Sequence, residues 1–188
     1  MIEADVHGIA LKFETDPRLF SPSHLDKGSL ALLSAIAFDA NDKVLDLGCG
    51  YGLVGTYAAK LIAPSRVWML DNDETALNIA QRNAAINGVP DIHVALSDGF
   101  RDFRESDFTK IVFNPPYHAD FSVPKHFIEK GFNRLALGGT MFLVTKRKLW
   151  YRNKLSSIFG GCRVQNFDPY FVLSATKKSH AYASRVIR

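Results

Sequence analysis

The sequence predicts an α/β fold in which a mostly parallel β-sheet carries helices on both of its faces. From residue 43 to about residue 159, short apolar segments alternate with segments whose apolar residues recur every three or four positions. That alternation is typical of β-α-β units, in which neighbouring strands run parallel. Nearer the C-terminus, two apolar runs flank Asp168-Pro169 without an intervening helix, which predicts an antiparallel hairpin.

The first predicted elements precede the alternating region. Residues 1–22 are predicted to form a strand and turn extension, because Ile9, Leu11 and Phe13 alternate with polar or small residues and two X-Pro pairs follow. A helix is then predicted from about Asp26 to Phe38, since its apolar residues share one face.

The elements of the alternating region follow from the same periodicities. Asp73 is a predicted N-cap, Gly88 a helix stop, and Pro124 suits the first turn of a later helix. In order, we predict a strand over 43–47, a helix ending near 61, a strand over 66–71, a helix over 73–88, strands over 92–96 and 110–113, a helix from about 124 to 139, a strand over 140–145, a basic helix or loop to about 159, and hairpin strands over 163–167 and 170–176.

Length and composition indicate a single domain over residues 1–188. Hydrophobic residues make up 47% of the chain and charged residues 22%, which is ordinary for a folded domain. The charge is unevenly distributed, because residues 1–120 carry a net charge of −7 and residues 121–188 a net charge of +11. This asymmetry suggests that the C-terminal part meets an anionic partner.

Several protein classes are disfavoured by what the sequence lacks. Cys49 and Cys162 form no C-x-x-C pair and the histidines show no metal-ligand spacing, so neither a disulfide framework nor a metal site is predicted. The acidic start does not resemble a signal peptide, and the longest apolar stretch is too short to span a bilayer. We expect a cytoplasmic protein that binds no membrane and acts as a monomer or weak homodimer.

The strongest local signal is a glycine-rich segment after the first strand of the predicted sheet. Gly48, Gly50 and Gly52 alternate between an apolar strand and a helix, so a ligand can approach both the backbone and the free N–H groups of the helix N-terminus. Asp71 closes the next strand, 21 residues beyond Gly50, where an acid can accept hydrogen bonds from ribose hydroxyls. These features together predict a cofactor that contains adenosine.

The charge near the glycines distinguishes between adenosine cofactors. Their spacing departs from the dinucleotide pattern G-x-G-x-x-G. Asp46 stands two residues before the first glycine, where a carboxylate is unfavourable beside a pyrophosphate but favourable beside an ammonium or a sulfonium. This favours S-adenosylmethionine over NAD. Asp98, after the third sheet strand, is either an acceptor for an adenine amino group or an ordinary turn aspartate.

A second signal is the segment Asn114-Pro115-Pro116-Tyr117, which follows the fourth sheet strand. The Asn114 side-chain oxygen and the Pro115 carbonyl can accept both hydrogens of a planar amino group, and Tyr117 can stack on the ring that carries it. In an open α/β sheet the ligand crevice lies at the carboxyl ends of the strands, so this segment is expected to face the glycines. An ordinary turn after a strand is the alternative.

The combination resembles a known family. The sequence is similar to the class I S-adenosylmethionine-dependent methyltransferases that modify exocyclic or amide nitrogens. More narrowly, it resembles the methyltransferase small domain of bacterial ribosomal RNA guanine-N2 methyltransferases of the RsmC type. The resemblance is carried by residues 19–21 with 25–30, 46–52 and 114–118. Adenine-N6 and protein glutamine-N5 enzymes share the third stretch, so the first stretch narrows the assignment.

The resemblance implies a fold, a cofactor and a set of functional residues. The fold is a Rossmann-like, seven-stranded sheet with an antiparallel last strand, and the cofactor is S-adenosylmethionine. The implied cofactor-binding residues are Phe20, Lys27, Asp46, Gly48, Cys49, Gly50, Asp71, Asn72, Ser97, Asp98 and Asn114, and the implied catalytic residues are Asn114, Pro115, Pro116 and Tyr117. Such ribosomal enzymes often carry a second, degenerate domain copy, for which 188 residues leave no room. RNA binding is therefore expected from this domain or from an oligomer.

A basic and aromatic stretch after the fifth sheet strand is the candidate RNA-binding surface. Cations suit phosphates, and aromatic rings suit unstacked bases. The alternative is a solvated helix with half-buried aromatic side chains. The stretch comprises Lys146, Arg147, Lys148, Trp150, Tyr151 and Arg152.

The sequence therefore predicts methyl transfer from S-adenosylmethionine to an exocyclic amino nitrogen. The preferred substrate is guanine N2 of ribosomal RNA, free or within the small ribosomal subunit. The alternatives are a protein glutamine-N5 or adenine-N6 methyltransferase, and a non-catalytic RNA-binding or assembly factor that keeps the fold. A dehydrogenase is disfavoured by the glycine spacing and by the prolines.

Overall fold

A seven-stranded sheet organises the molecule, of which the computed structural model describes residues 1–19, 21–115 and 120–183. Its strands are β3 (Val44–Leu47), β4 (Val67–Asp71), β5 (His93–Leu96), β6 (Phe108–Phe113), β7 (Leu135–Thr145), β8 (Arg163–Phe167) and β9 (Tyr170–Thr176). They lie in the order β5-β4-β3-β6-β7-β9-β8, and β9 runs antiparallel to both of its neighbours. The predicted mostly parallel sheet with an antiparallel C-terminal hairpin is confirmed.

Helices of the described residues cover both faces of this sheet, as predicted. They are α1 (Lys27–Ala35), α2 (Leu53–Leu61), α3 (Glu74–Ile86), α4 (Ser122–Arg134) and α5 (Lys148–Phe159). Strand residues alternate between two buried apolar clusters, so that Val44 packs with α1, α2 and α3 while Leu45 packs with α4 and α5. In the described part of the chain, no helix combines the length and the apolar character that crossing a membrane requires.

The sequence-based boundary between α4 and β7 is wrong. The helix ends at Arg134 and β7 begins at Leu135, whereas the sequence predicts a helix up to the glycine pair at 138–139 and a strand from Thr140. Leu135 already pairs with Phe108, and Gly138, at a φ of 81°, donates its N–H to the Lys177 carbonyl. The two glycines therefore lie inside β7 and do not end α4, because the strand already pairs with β6 from Leu135 onward.

The N-terminal extension is a complete hairpin, whereas the sequence predicts one strand and a turn. Strands β1 (Ile2–Val6) and β2 (Ile9–Phe13) pair with each other outside the main sheet. Two side-chain amides of α3 and its C-terminal cap dock β2: Asn87 accepts from the Lys12 N–H and donates to its carbonyl at 3.0 and 2.7 Å, and Asn83 does the same with Glu14 at 2.7 and 2.9 Å. These amides take the place of a neighbouring strand.

Candidate functional site

A cleft of about 460 Å³ opens where the carboxyl ends of four parallel strands meet. The chain leaves β3 toward β4 and later returns to the other side of β3 as β6, so the strand order reverses between β3 and β6. In open α/β sheets such a reversal creates the ligand crevice. The loops that follow β3, β4, β5 and β6 all contribute residues to the cleft.

The glycine segment forms the floor of the cleft at the end of β3. Gly48 and Cys49 donate their N–H groups to the Leu70 carbonyl at 2.8 and 2.9 Å, which ties the turn to β4. Gly48, Gly50 and Gly52 all adopt positive φ angles, a conformation that glycine takes without strain. A Cβ atom added at Gly48 or Gly50 would meet no atom within 4 Å, so the backbone there is open to a ligand.

Asp46 is a buried carboxylate beneath this turn. Its side chain is 4% exposed and accepts a hydrogen bond from the Gly55 N–H at 2.8 Å, in the first turn of α2. A Cβ on Gly55 would lie 2.5 Å from Met69 Cγ, so only glycine at this position lets α2 pack this closely against β4. Burial raises the pKa of Asp46 to about 7, the neighbouring charge of Asp71 adds to the rise, and the Gly55 hydrogen bond opposes it. A cation beside Asp46 would reverse part of this shift.

Asp71 holds the turn from the end of β4. Its carboxylate accepts from the Gly50 N–H at 2.8 Å and from the Asp73 N–H at 3.1 Å. A carboxylate has about four acceptor positions, so Asp71 retains capacity for hydroxyl groups of a ligand. Asp71 therefore shapes the turn and also offers acceptors to the cleft.

The loop after β5 closes one end of the cleft. The Ser97 hydroxyl is buried, and the carbonyls of Gly99 and Arg101 share its one hydrogen at O···O distances of 2.8 and 3.0 Å, so it secures the loop backbone. Asp98 lines the cleft with an exposed side chain, 3.6 Å from the Arg101 guanidinium. Ser97 thus acts on the loop, while Asp98 is accessible to a ligand.

Asn114 lies just after the end of β6, and the NH2 group of its side-chain amide is hydrogen-bonded within the protein. Its Nδ2 donates to Asp26 Oδ2 at 2.7 Å and to Ser29 Oγ at 3.1 Å, both at the start of α1. Its Oδ1 is buried and has no hydrogen-bond partner among the described residues. A buried acceptor left unpaired costs free energy, of the order of 1–3 kcal/mol, so this atom is prepared for a donor from a ligand.

Tyr51 presents a second buried polar atom without a described partner. Its ring packs edge-on against Phe13 at 5.5 Å, and the residue lines the cleft together with Asp26. Burial raises the pKa of Tyr51 to about 12, the charge of Asp26 adds to the rise and the nearby Asp26 N–H opposes it, so the hydroxyl stays protonated at neutral pH. The cleft therefore offers both a hydroxyl and an amide oxygen to a ligand.

The charged side chains that line the cleft are predominantly acidic. Arg18 is the basic side chain among its described lining residues, and it is held in a two-point ion pair by Asp16 at 2.8 and 2.9 Å. A site with this excess of carboxylates favours a ligand that carries positive charge. The acidic lining residues are Asp26, Asp46, Asp71, Asp73 and Asp98.

Most of the predicted cofactor-binding and catalytic residues come together in this one cleft. Phe20, Pro116 and Tyr117 lie outside the described residues. Lys27 is solvent-exposed and does not line the cleft; its neighbours Asp26 and Ser29 do so, because they sit at the N-cap and on the buried side of α1. The predicted residues that line the cleft are Asp46, Gly48, Cys49, Gly50, Asp71, Asn72, Ser97, Asp98, Asn114 and Pro115.

The resemblance implies that residues 20–29 flank the cofactor, but the contacts that Asp26 and Ser29 make were not predicted from the sequence. Asp26 and Ser29 show the D-x-x-S pattern of a helix N-cap, and that local role gives no sign of their contact with Asn114. For Tyr51, the only sequence feature that indicates a place in the cleft is its position between Gly50 and Gly52. Among residues 1–19, 21–115 and 120–183, no three His, Cys, Asp or Glu side chains are grouped so that they could hold a metal ion.

The basic and aromatic stretch begins at the same edge of the sheet as the cleft, after β7. The Trp150 ring stacks on Phe121 with centroids 4.4 Å apart, and the Arg147 guanidinium lies 5.3 Å from the Phe121 ring centre. Phe121 immediately precedes α4, whose Val123 lines the cleft. This stack therefore adjoins the mouth of the cleft.

The other members of the stretch differ in exposure. Lys146 and Lys148 lie over the rings of Tyr170 and Phe171 at 4.9 and 4.8 Å, and Arg152 is exposed. Tyr151 is only 4% exposed and packs edge-on against Trp150, so its ring is part of the core. The surface of the stretch thus consists of the Trp150–Phe121 stack with Arg147 beside it, of Lys146 and Lys148 over two rings of β9, and of the exposed Arg152.

Comparison with known proteins relates this chain to one protein family. The family model described as the methyltransferase small domain matches residues 10–174. The chain is 31% identical over 183 residues to a protein of Alteromonas mediterranea named ribosomal RNA large subunit methyltransferase G, and the match covers 91% of this chain and 44% of that protein. It is 30% identical over 191 residues to a ribosomal RNA small subunit methyltransferase C of Pseudomonas aeruginosa, covering 93% and 57%.

A solved structure shows the same fold. The Thermus thermophilus 16S rRNA N2 methyltransferase RsmC, in complex with AdoMet and guanosine, superposes with a TM-score of 0.84 and 29% identity, covering 94% of this chain and 50% of that one. The present chain spans about half the length of the relatives that it matches.

Proposed function

This chain belongs to the methyltransferase small domain family, and we propose that it transfers a methyl group from S-adenosylmethionine to guanine N2 of ribosomal RNA. The observation that carries the proposal is the unpaired Oδ1 of Asn114, a buried acceptor in a cleft that otherwise suits a cationic adenosine cofactor. The names of the relatives support ribosomal RNA as the substrate class, and the name of the solved Thermus thermophilus enzyme supports the N2 position.

The residues of the cleft fit S-adenosylmethionine. The open backbone at Gly48 and Gly50 leaves space for it, and the acceptors of Asp71 would hold its ribose hydroxyls. Asp46 and the acidic lining favour its positive charge, and Asp98 would accept from its adenine amino group. S-adenosylmethionine supplies an already activated methyl group, so this chain's task is to orient the nucleophilic nitrogen, which can lower a barrier by roughly 7–11 kcal/mol.

Asn114 and Pro115 would hold the amino group that becomes methylated. Asn114 Oδ1 accepts one amino hydrogen, and the carbonyl of Pro115, which also lines the cleft, accepts the other. The nitrogen lone pair is then left perpendicular to the plane of the two hydrogen bonds, which is the direction from which it can attack. Tyr117 and Pro116 complete this proposed clamp.

The substrate base has to leave its helix to enter the cleft. Extruding a base costs a few kcal/mol, which stacking and phosphate contacts at the mouth can offset. We propose that the Trp150–Phe121 stack, the adjacent Arg147 and the other cations of the stretch, Lys146, Lys148 and Arg152, supply those contacts. Tyr151 would contribute from beneath, by supporting Trp150.

The substrate proposal is tested with radiolabelled S-adenosylmethionine and three acceptors: an unmodified ribosomal RNA transcript, ribosomal subunits and total cell protein. We expect label in RNA, and nuclease digestion followed by mass spectrometry should identify N2-methylguanosine. Cell-derived RNA that already carries the modification is the matched control and should accept little label. Label confined to protein, or found in N6-methyladenosine, would refute guanine N2. Absence of detectable cofactor binding at millimolar concentration would instead favour a non-catalytic factor.

Replacing Trp150 with alanine is expected to weaken RNA binding by about tenfold, because one base–aromatic stack contributes roughly 1–3 kcal/mol. Fluorescence anisotropy with a labelled RNA fragment measures this, and calorimetry should show unchanged cofactor affinity. Leu149→Ala is the matched control, since Leu149 is the adjacent residue and is 63% exposed without belonging to the stack. Equal RNA affinity of the two variants would place the RNA elsewhere on the protein.

A further inference from the structure

The start of α1 determines which atom of the Asn114 amide is available to a ligand. Asp26 Oδ2 accepts from Asn114 Nδ2 at 2.7 Å, and Ser29 Oγ lies 3.1 Å from the same nitrogen. Asp26 is 7% exposed and Ser29 9% exposed, so water competes poorly for either contact. Both hydrogens of the amide nitrogen are therefore used within the protein, and Oδ1 is left over.

The contact with Asp26 makes one orientation of the amide much more favourable than the other. The two ends of an asparagine amide have nearly the same shape, so packing alone hardly separates the two orientations. A carboxylate can only accept hydrogen bonds. Turning the Asn114 amide by half a turn would place its oxygen against the oxygen of Asp26 and would present an N–H to the cleft.

We propose that Asp26, assisted by Ser29, is a positioning residue that keeps the Asn114 amide as a hydrogen-bond acceptor, and that it thereby makes the site select a substrate edge bearing an amino group over one bearing a carbonyl. This inference rests on the proposed function, in which Asn114 Oδ1 receives a hydrogen from the amine. The separation in sequence is 88 residues, so the pair forms only in the folded chain.

The test has to separate this role from the second role of Asp26. The same Oδ2 atom accepts from the Ser29 N–H at 2.7 Å and caps α1. Serine and asparagine are both good N-caps, so Asp26→Ser and Asp26→Asn should keep the helix. Serine is too short to reach Asn114 as well, whereas the asparagine oxygen can occupy the Oδ2 position and keep both contacts.

We expect Asp26→Ser to lower kcat at least tenfold at saturating cofactor, since small losses of orientation can cost up to about 100-fold. Saturation is needed because Asp26 is also one of the acidic residues that line the cleft. Asp26→Asn should remain within a few-fold of the wild type, because the acceptor persists. If Asp26→Asn is as impaired as Asp26→Ser, the negative charge matters rather than the acceptor, and the proposal is wrong. Asp73→Ser is a control for melting temperature alone, because Asp73 also lines the cleft: it caps α3 through the Thr75 N–H at 2.7 Å and is not bonded to Asn114.

A spectroscopic readout keeps the proposal testable even if the methyl acceptor is misassigned. In protein labelled with nitrogen-15, the side-chain amide of Asn114 should show two resolved, slowly exchanging protons in the wild type and in Asp26→Asn. In Asp26→Ser the exchange should be markedly faster. Unchanged exchange in Asp26→Ser would overturn the positioning role whatever the substrate is. If the exchange rates are as expected but no methyl group is transferred to RNA, only the proposed function is overturned.

Discussion

Replacing Asn114 with alanine is expected to lower methyl transfer by about 100-fold to 1,000-fold while the cofactor still binds. The loss follows because a preorganised polar group at the reacting atoms typically contributes that much, and because the alanine side chain would leave the amine held by one acceptor instead of two. Single-turnover transfer to RNA measures the rate, and calorimetry measures cofactor affinity.

The control for this variant is Asn78→Ala on the exposed side of α3. It makes the same chemical change away from the cleft, so its rate and its melting temperature should match those of the wild type. If Asn114→Ala retained turnover, the amine would not be held by Asn114, and the proposed clamp would be refuted. A collapse of cofactor binding in Asn114→Ala would instead assign the residue to the cofactor.

Affinity for S-adenosylmethionine is expected to rise about tenfold between pH 6 and pH 8. Burial raises the pKa of Asp46 to about 7, so roughly one molecule in ten carries the ionised form at pH 6 and nine in ten at pH 8. A cationic ligand binds the ionised form. Calorimetry in buffers of different ionisation enthalpy should also detect release of a proton on binding at pH 6.

The same shift has a consequence for stability. A carboxyl whose pKa is raised by folding contributes most stability below its unfolded value near 4, and that contribution is lost as the pH rises through 7. Cofactor binding to the ionised form should therefore raise the melting temperature more at pH 8 than at pH 6. Asp46→Asn should flatten both profiles, whereas Asp91→Asn, an exposed change outside the cleft, should leave them intact. A steep profile that persists in Asp46→Asn would assign the titration to another group.

Much of the fold could be predicted because the main elements have strong local signals. The four residues of β3 are all buried, and all but Asp46 are apolar. The glycines that follow mark the end of the strand. The C-terminal hairpin was predicted at its observed boundaries, because Asp168-Pro169 interrupts two apolar runs. The end of α4 was not, since glycines at 138–139 favour a helix stop locally while the buried Leu135 gains more by joining the sheet.

Local sequence specifies which chemical groups end each strand. The glycines after β3, Asp71 after β4 and Asn114 after β6 are local features, and the parallel topology necessarily brings the ends of such strands to one edge. The sequence alone therefore predicts that these residues share a site.

The way those groups are held, and which of their atoms remain free, depends on tertiary contacts. Burial sets the protonation of Asp46 at neutral pH, and Asp26, 88 residues away, sets the polarity of Asn114. Neither property is a feature of local sequence. Each depends on removing water from a group and replacing it with one particular neighbour, and folding alone specifies that neighbour.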